Sequence, residues 1–220
     1  MKRILLHYNT LWCRLVAFTM VLISPLTMAH PHSFIDIKTT LVSNEPGKLN
    51  ALRMVWKMDE ITSADLLYDA GDAKPDSVVW KKLAAEVMAN VLGQHYFTEF
   101  WHNGQRVKFD NLPSEYHLTR EGHQAVLTFV MPLAEAQPLT GQTYTFMTFD
   151  PTYFVDMYYD NDKSLQLPDA LQKQCKLQLK TPKPDASLQQ YALSLDKADA
   201  PPEEMDLGRQ FAQTVTLACQ

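Results

Sequence analysis

From Leu49 to Met58 apolar and polar residues alternate, with Leu52, Met54, Trp56 and Met58 on one side. A period of two puts successive side chains on opposite faces of an extended strand, so this run must lay one apolar face on a core. Phe34 to Val42 precedes it, rich in β-branched residues, and the turn cluster Ser43-Asn44-Glu45-Pro46-Gly47 lies between the two. Together they predict an antiparallel hairpin with Asp36 well inside its first strand. A second hairpin is predicted for Tyr96–His102 and Gln105–Phe109, because Asn103-Gly104 suits the positive φ angles of a tight type I′ turn. A third joins Tyr116–Arg120 to His123–Met131 through Glu121-Gly122, and Thr143–Phe149 and Cys175–Lys180 read as further strands.

Helical periodicity is strongest from Ser77 to about Leu92, where Val79, Leu83, Val87 and Val91 recur every fourth residue before Gly93 stops the run. Short helices are expected at Asp59–Asp65, capped near Thr62 or Ser63, and at Leu207–Val215. The fold class that follows is α+β: mainly antiparallel β strands and hairpins, one long amphipathic helix and short extra helices.

Residues 1–29 read as a cleaved signal peptide. Lys2 and Arg3, with Arg14, give a positive start; Leu15–Ile23 is apolar; Pro25 breaks it; and Thr27-Met28-Ala29 has the small-residue pattern of a cleavage site. Residues 30–220 would then form a single periplasmic α+β domain. No apolar run of about 18 residues follows, so no membrane insertion is expected after cleavage. The formal charge of −5 becomes more negative once the signal's cations are gone, and no basic run remains. That argues against nucleic acid and favours cations as ligands. Cys13 falls inside the signal, which leaves Cys175 and Cys219 to form one disulfide in an oxidising compartment.

Cutting after Ala29 would make His30 the first residue, with His32 two positions along. An N-terminal histidine chelates a metal through its amine and Nδ1 together, and imidazole suits nickel, cobalt, zinc and copper. Both groups must be deprotonated to bind. Pro31 lacks an N–H, so the square site built from deprotonated backbone nitrogens is blocked. His30-Pro31-His32 is therefore half a site, to be completed by the folded body. His102, His117, His123 and Asp150 are the candidates to complete it, with Asp36 and Asp156 as further oxygen ligands or partners that orient an imidazole. His95 at a helix end reads as a favourable charge near the dipole. The acidic run Asp69–Asp76 lacks the alternation and terminal Glu of a calcium loop. No nucleophile elbow, zincin, P-loop or dinucleotide-binding pattern is present, so enzymatic motifs give no support for catalysis.

The order of motifs resembles a bacterial family catalogued as a domain of unknown function, number one thousand and seven. The resemblance runs through His30-Pro31-His32 and Phe34-Ile35-Asp36, then Trp56-Lys57-Met58-Asp59-Glu60 and Phe149-Asp150-Pro151-Thr152-Tyr153, and ends with Leu207-Gly208-Arg209-Gln210-Phe211-Ala212 before Cys219. It implies a periplasmic component of an uncharacterised transport system, often paired with nickel/cobalt permeases. By resemblance His30 and His32 would face the metal, and Asp150 would be a motif position of unknown role.

The leading expectation is a periplasmic accessory protein that binds nickel or cobalt, or else zinc or copper, and exchanges it with an inner-membrane metal permease. Two rivals stand beside it. One is a copper-dependent oxidase with His30 as brace, which chemically resembles oxidative polysaccharide enzymes and needs a distant histidine such as His102 or His117. The other is a metal-free envelope module with Tyr153, Phe154, Tyr158 and Tyr159 as its partner surface.

Overall fold

The computed structural model describes residues 31–195 and 201–220; the signal segment, its cleavage site and His30 lie outside the described residues. Ser33–Val42 (β1) and Lys48–Met58 (β2) form the expected antiparallel hairpin, with Ile35 opposite Met58 and Val42 opposite Ala51. β2 also pairs with Gln124–Pro138 (β6), which folds back on Glu115–Glu121 (β5). On the far side of β1 runs Val155–Tyr158 (β8), and it runs parallel; the short Leu165–Gln166 (β9) pairs with β1 further along. The first sheet therefore has the order β5-β6-β2-β1-β8.

The second sheet is built from Thr98–His102 (β3), Gln105–Val107 (β4), Thr143–Thr148 (β7), Cys175–Lys180 (β10) and Thr214–Cys219 (β11). Its order is β10-β11-β7-β3-β4. Asn103 and Gly104 turn the β3–β4 hairpin at φ 49° and 75°, the positive pair that an Asn-Gly turn supplies. Cys175 and Cys219 face each other across β10 and β11 and are disulfide-bonded at a sequence separation of 44. Closing a loop of that size is worth about 4 kcal/mol on the chain-entropy estimate.

Glu60–Ala70 (α1) lies against β6 and Val78–Gly93 (α2) against β5. One apolar cluster takes side chains from both sheets and both helices, including Ile37, Met54, Trp56, Phe100, Leu127, Phe129, Phe146 and Leu217. Trp56 is 1% exposed and packs edge-on to Phe129, centroids 4.9 Å apart. The alternation that starts in β2 is thus the inner face of a two-sheet core. Ala186–Ser194 (α3) and Leu207–Phe211 (α4) belong to a separate small cluster around Leu207, with Tyr153, Tyr191 and Phe211 packed on it.

Four expectations are corrected. α1 starts earlier than Thr62, because Asp59 is the residue that caps it. The buried side of α2 is Trp80, Leu83, Ala84, Met88 and Val91, whereas Val79 is 41% exposed. Trp80 decides that rotation: it is the largest side chain on the helix and its indole N–H donates to Ala73 O at 3.1 Å. Tyr96 and Phe97 are not strand. They form with His95 a left-handed turn, φ 51°, 61° and 51°, at a cost on the order of 1 kcal/mol per residue. It is held because Tyr96 buries its ring against Phe129 and donates its hydroxyl to Asp110 O at 3.0 Å. Finally, Leu207–Val215 is helical only to Phe211; Thr214 already pairs with Met147 in the second sheet.

Candidate functional site

The chain enters the first sheet beside β8. His32 N–H and Ser33 N–H both donate to Phe154 O, at 2.9 and 3.3 Å. The parallel register then sets Ser33 opposite Val155, Phe34 opposite Asp156 and Asp36 opposite Tyr158. Because side chains alternate, His32, Phe34 and Asp36 share one face with Phe154, Asp156 and Tyr158. Ile35, Ile37 and Met157 point the other way, into the core. The His32 ring lies against the Phe154 ring, centroids 4.8 Å apart.

Asp156 is the distinctive group on this face. It is half-buried, yet among the described residues no hydrogen bond or ion pair reaches its carboxylate; burial alone pushes its pKa up. Its oxygens keep part of their contact with water, but partial burial with no protein donor still makes the charged form costly. Asp36 goes further: its Oδ1 is fully buried with no hydrogen-bond partner. Burial raises Asp36, Asp160 adds to this, and Lys38 and Lys57 work against it. The phenol of Tyr158 is raised first by burial and then by the surrounding carboxylates Asp36, Asp156, Asp160 and Asp59. These form a patch of negative potential beside one imidazole, an arrangement that attracts cations.

Two supports hold this edge in place. Asp59 accepts from Phe34 N–H at 2.6 Å, from Thr62 N–H at 2.8 Å and from the Thr62 hydroxyl at 2.7 Å, while its own N–H donates to Phe34 O at 3.0 Å. One side chain thereby caps α1 and fixes the start of β1. The second support is the Asp150 loop. Asp150 Oδ1 accepts from Thr152 N–H at 3.0 Å, Oδ2 accepts from Val155 N–H at 3.0 Å, and the Thr152 hydroxyl reaches both oxygens. Asp150 O takes Tyr153 N–H at 2.9 Å, and Tyr153 sits at φ 59°. As a result Tyr153 stacks on Phe211 at 4.1 Å, while its neighbour Phe154 meets His32.

The carboxy-terminal motif clasps that loop from outside. Gly208 N–H donates to Pro151 O at 3.0 Å, and a Cβ on Gly208 would stand 1.7 Å from Asp150 O, so no larger residue fits. Arg209 lies 5.0 Å over the Phe149 ring, donates to Glu99 at 2.6 Å and pairs with Asp206. The segments singled out in the sequence are thus neighbours at one edge: His32–Asp36, Trp56–Glu60, Phe149–Tyr153 and Leu207–Phe211.

The remaining candidates lie elsewhere. His102 sits on β3 in the second sheet, its Nε2 2.8 Å from Gln142 Oε1 and its ring 4.4 Å from that of Tyr144. It shares a cavity with Gln137, whose strand neighbour Leu49 is nine positions from Met58. At about 3.3 Å per residue that is roughly 30 Å from the His32 edge. His117 on β5 is aligned through Thr128 and Val55 with Lys38, three strands away and so about 14 Å across the sheet. His123 is exposed at the β5–β6 turn. Asp150 is near His32, but its oxygens already serve the loop's own donors. His30 lies outside the described residues, and among those described no group of three or more His, Cys, Asp or Glu could hold a metal unaided. Cys175 and Cys219 are consumed by their disulfide. Of the four aromatics of the expected partner surface, Tyr159 is 2% exposed and 2.9 Å from the Thr39 hydroxyl and Tyr153 is packed on Phe211, whereas Tyr158 is exposed.

Asp156 was offered by the sequence only as a further oxygen ligand, beside Asp36. Its signal was the alternation Phe154-Asp156-Tyr158, a strand pattern hidden among consecutive aromatics. Among the described residues no helix is long and apolar enough to cross a membrane. A family model described as "Protein of unknown function (DUF1007)" matches residues 15–219. An uncharacterized protein of Haemophilus influenzae is 36% identical over 194 residues, covering 88% of this chain and 92% of its own.

Proposed function

The chain belongs to the DUF1007 family of proteins of unknown function, and on that footing we propose that it is a periplasmic accessory protein that binds a transition-metal ion at the His32 edge. Nickel, cobalt or zinc is the cargo, exchanged with an inner-membrane permease. The observation that carries this reading is the Asp156 carboxylate, half-buried without a donor on the face that His32 shares.

The chemistry follows from the donors. Neutral imidazole of His32 supplies one nitrogen, and a His30 freed by cleavage would add its amine and imidazole. Asp156 supplies an oxygen whose charge the metal would neutralise, relieving the desolvation that now raises its pKa. Pro31 keeps the backbone out of the site. A mixed nitrogen and oxygen set fits zinc, nickel or cobalt better than calcium or magnesium. Phe154 fixes one side of the His32 ring, and the Asp150 loop fixes Phe154, so the half-site is held ready before metal arrives.

Isothermal titration of the exported, processed protein with nickel, cobalt and zinc tests this. His30→Ala and His32→Ala should each weaken binding at least about tenfold; affinities equal to wild type would sink the reading.

A further inference from the structure

Far from the His32 edge, two cavities of about 490 and 320 Å³ share Arg106, Val107 and Lys108. They adjoin along β4, the edge strand of the second sheet. Each is in the range that holds a small organic ligand. The larger half has an apolar wall of Leu92, Tyr96, Val107 and Phe109, while the smaller half is polar, with His102 and Gln137. The left-handed turn His95–Phe97 builds one side of the larger half, and the Tyr96 hydroxyl ties that side to Asp110 on the other.

The cations stand at the junction of the two halves. Lys108 has no ion-pair partner among the described residues. Arg106 has only Glu99 at 3.7 Å, and Glu99 is already held by Arg209 at 2.6 Å. His95 adds a third basic group to the apolar half; Asp110 and Glu135 are the carboxylates on the walls. Together Arg106 and Lys108 set positive charge beside an apolar slot on a chain of formal charge −5. The hydrophobic effect would seat a hydrocarbon against Leu92 and Phe109, and a charge-assisted hydrogen bond would hold an anionic head at Arg106 and Lys108.

We propose that the β4 groove binds an amphipathic carboxylate, its head on Arg106 and Lys108 and its tail along Leu92 and Phe109. The assignment is independent of metal binding.

Titration calorimetry on the full exported protein tests it with three probes: decanoate, decyltrimethylammonium and acetate. Decanoate should bind one to one, the cation of equal tail length should not, and acetate should be at least about tenfold weaker. Arg106→Glu with Lys108→Glu should cost decanoate at least about tenfold in affinity, and Lys108→Glu alone should weaken it with unchanged thermal melting, because Lys108 is exposed and has no ion-pair partner among the described residues. Lys108→Ala alone should fall between. Absence of decanoate binding, equal binding of the cationic probe, or a charge-reversed variant that binds as wild type would each overturn the assignment.

Discussion

The His32 imidazole rests on the Phe154 ring at 4.8 Å, and the next side chain on the same face of that strand is the donorless carboxylate of Asp156. The alternation of β1 and β8, set in parallel register, creates this neighbourhood. Residues far apart in sequence hold it: Asp59, Asp150 and Gly208.

Gly208 should be intolerant of any side chain. Its would-be Cβ stands 1.7 Å from Asp150 O, a backbone atom that cannot swing aside. Gly208→Ala should cost at least about 2–3 kcal/mol in denaturant unfolding, the scale of a forced overpacking. A variant as stable as wild type would show that the two motifs do not touch this closely.

Asp59 ties acid stability to the start of β1. Burial pushes its carboxyl up, but the N–H groups of Thr62, Phe34 and Ile61 and the Thr62 hydroxyl outweigh that and hold it below its ordinary value. A depressed folded-state pKa contributes stability that is complete above the unfolded value near 3.8 and is lost as pH falls through the folded value. Urea midpoints should therefore drop below about pH 4. Asp59→Ala should lower stability by about 1–2 kcal/mol at neutral pH, as for a lost helix cap, and flatten that acid limb.

At the alkaline end the sign reverses. Burial pushes the hydroxyls of Tyr96, Tyr153 and Tyr159 up to about 12. A raised folded-state pKa gives stability that is full below the unfolded value near 10.0 and is lost as pH rises through about 12. Absorbance titration of tyrosinate should show these three ionising late, together with unfolding. Titration of every tyrosine near 10 in the folded protein would contradict their placement.

Reduction of the Cys175–Cys219 bond should leave the sheets formed but weaker. Cys175→Ser with Cys219→Ser should cost about 2–5 kcal/mol, measured by urea unfolding against the oxidised protein. No change would mean that β10 is held by its ladder alone.

The hairpins were legible because each carries its own local signal: alternation in β2 and the Asn103-Gly104 turn in β3–β4. The parallel pairing of β8 with β1 was not, since it joins Ser33 to Val155 with no short-range cue. The same distance hid the site. His32 was visible as part of an N-terminal chelator, but its carboxylate neighbour depended on that pairing, and Asp150 drew attention as a candidate oxygen ligand and a motif position. Asp150 instead shapes the loop that delivers Asp156. His102, His117 and His123 looked convergent because they flank turns, whereas the sheet order places those turns on other edges. The left-handed turn at Tyr96 was masked by residues of high strand preference; the buried ring, not local propensity, sets its backbone.

Asp156→Asn is the most direct test of the central claim, because asparagine keeps the shape and removes the charge. Calorimetric titration of the exported protein with zinc and nickel should show affinity reduced by about 10- to 100-fold, with an unfolding midpoint equal to or above that of wild type, since a desolvated carboxylate is gone. Unchanged metal affinity in Asp156→Asn, with His32 intact, would contradict the assignment of this edge as the metal site.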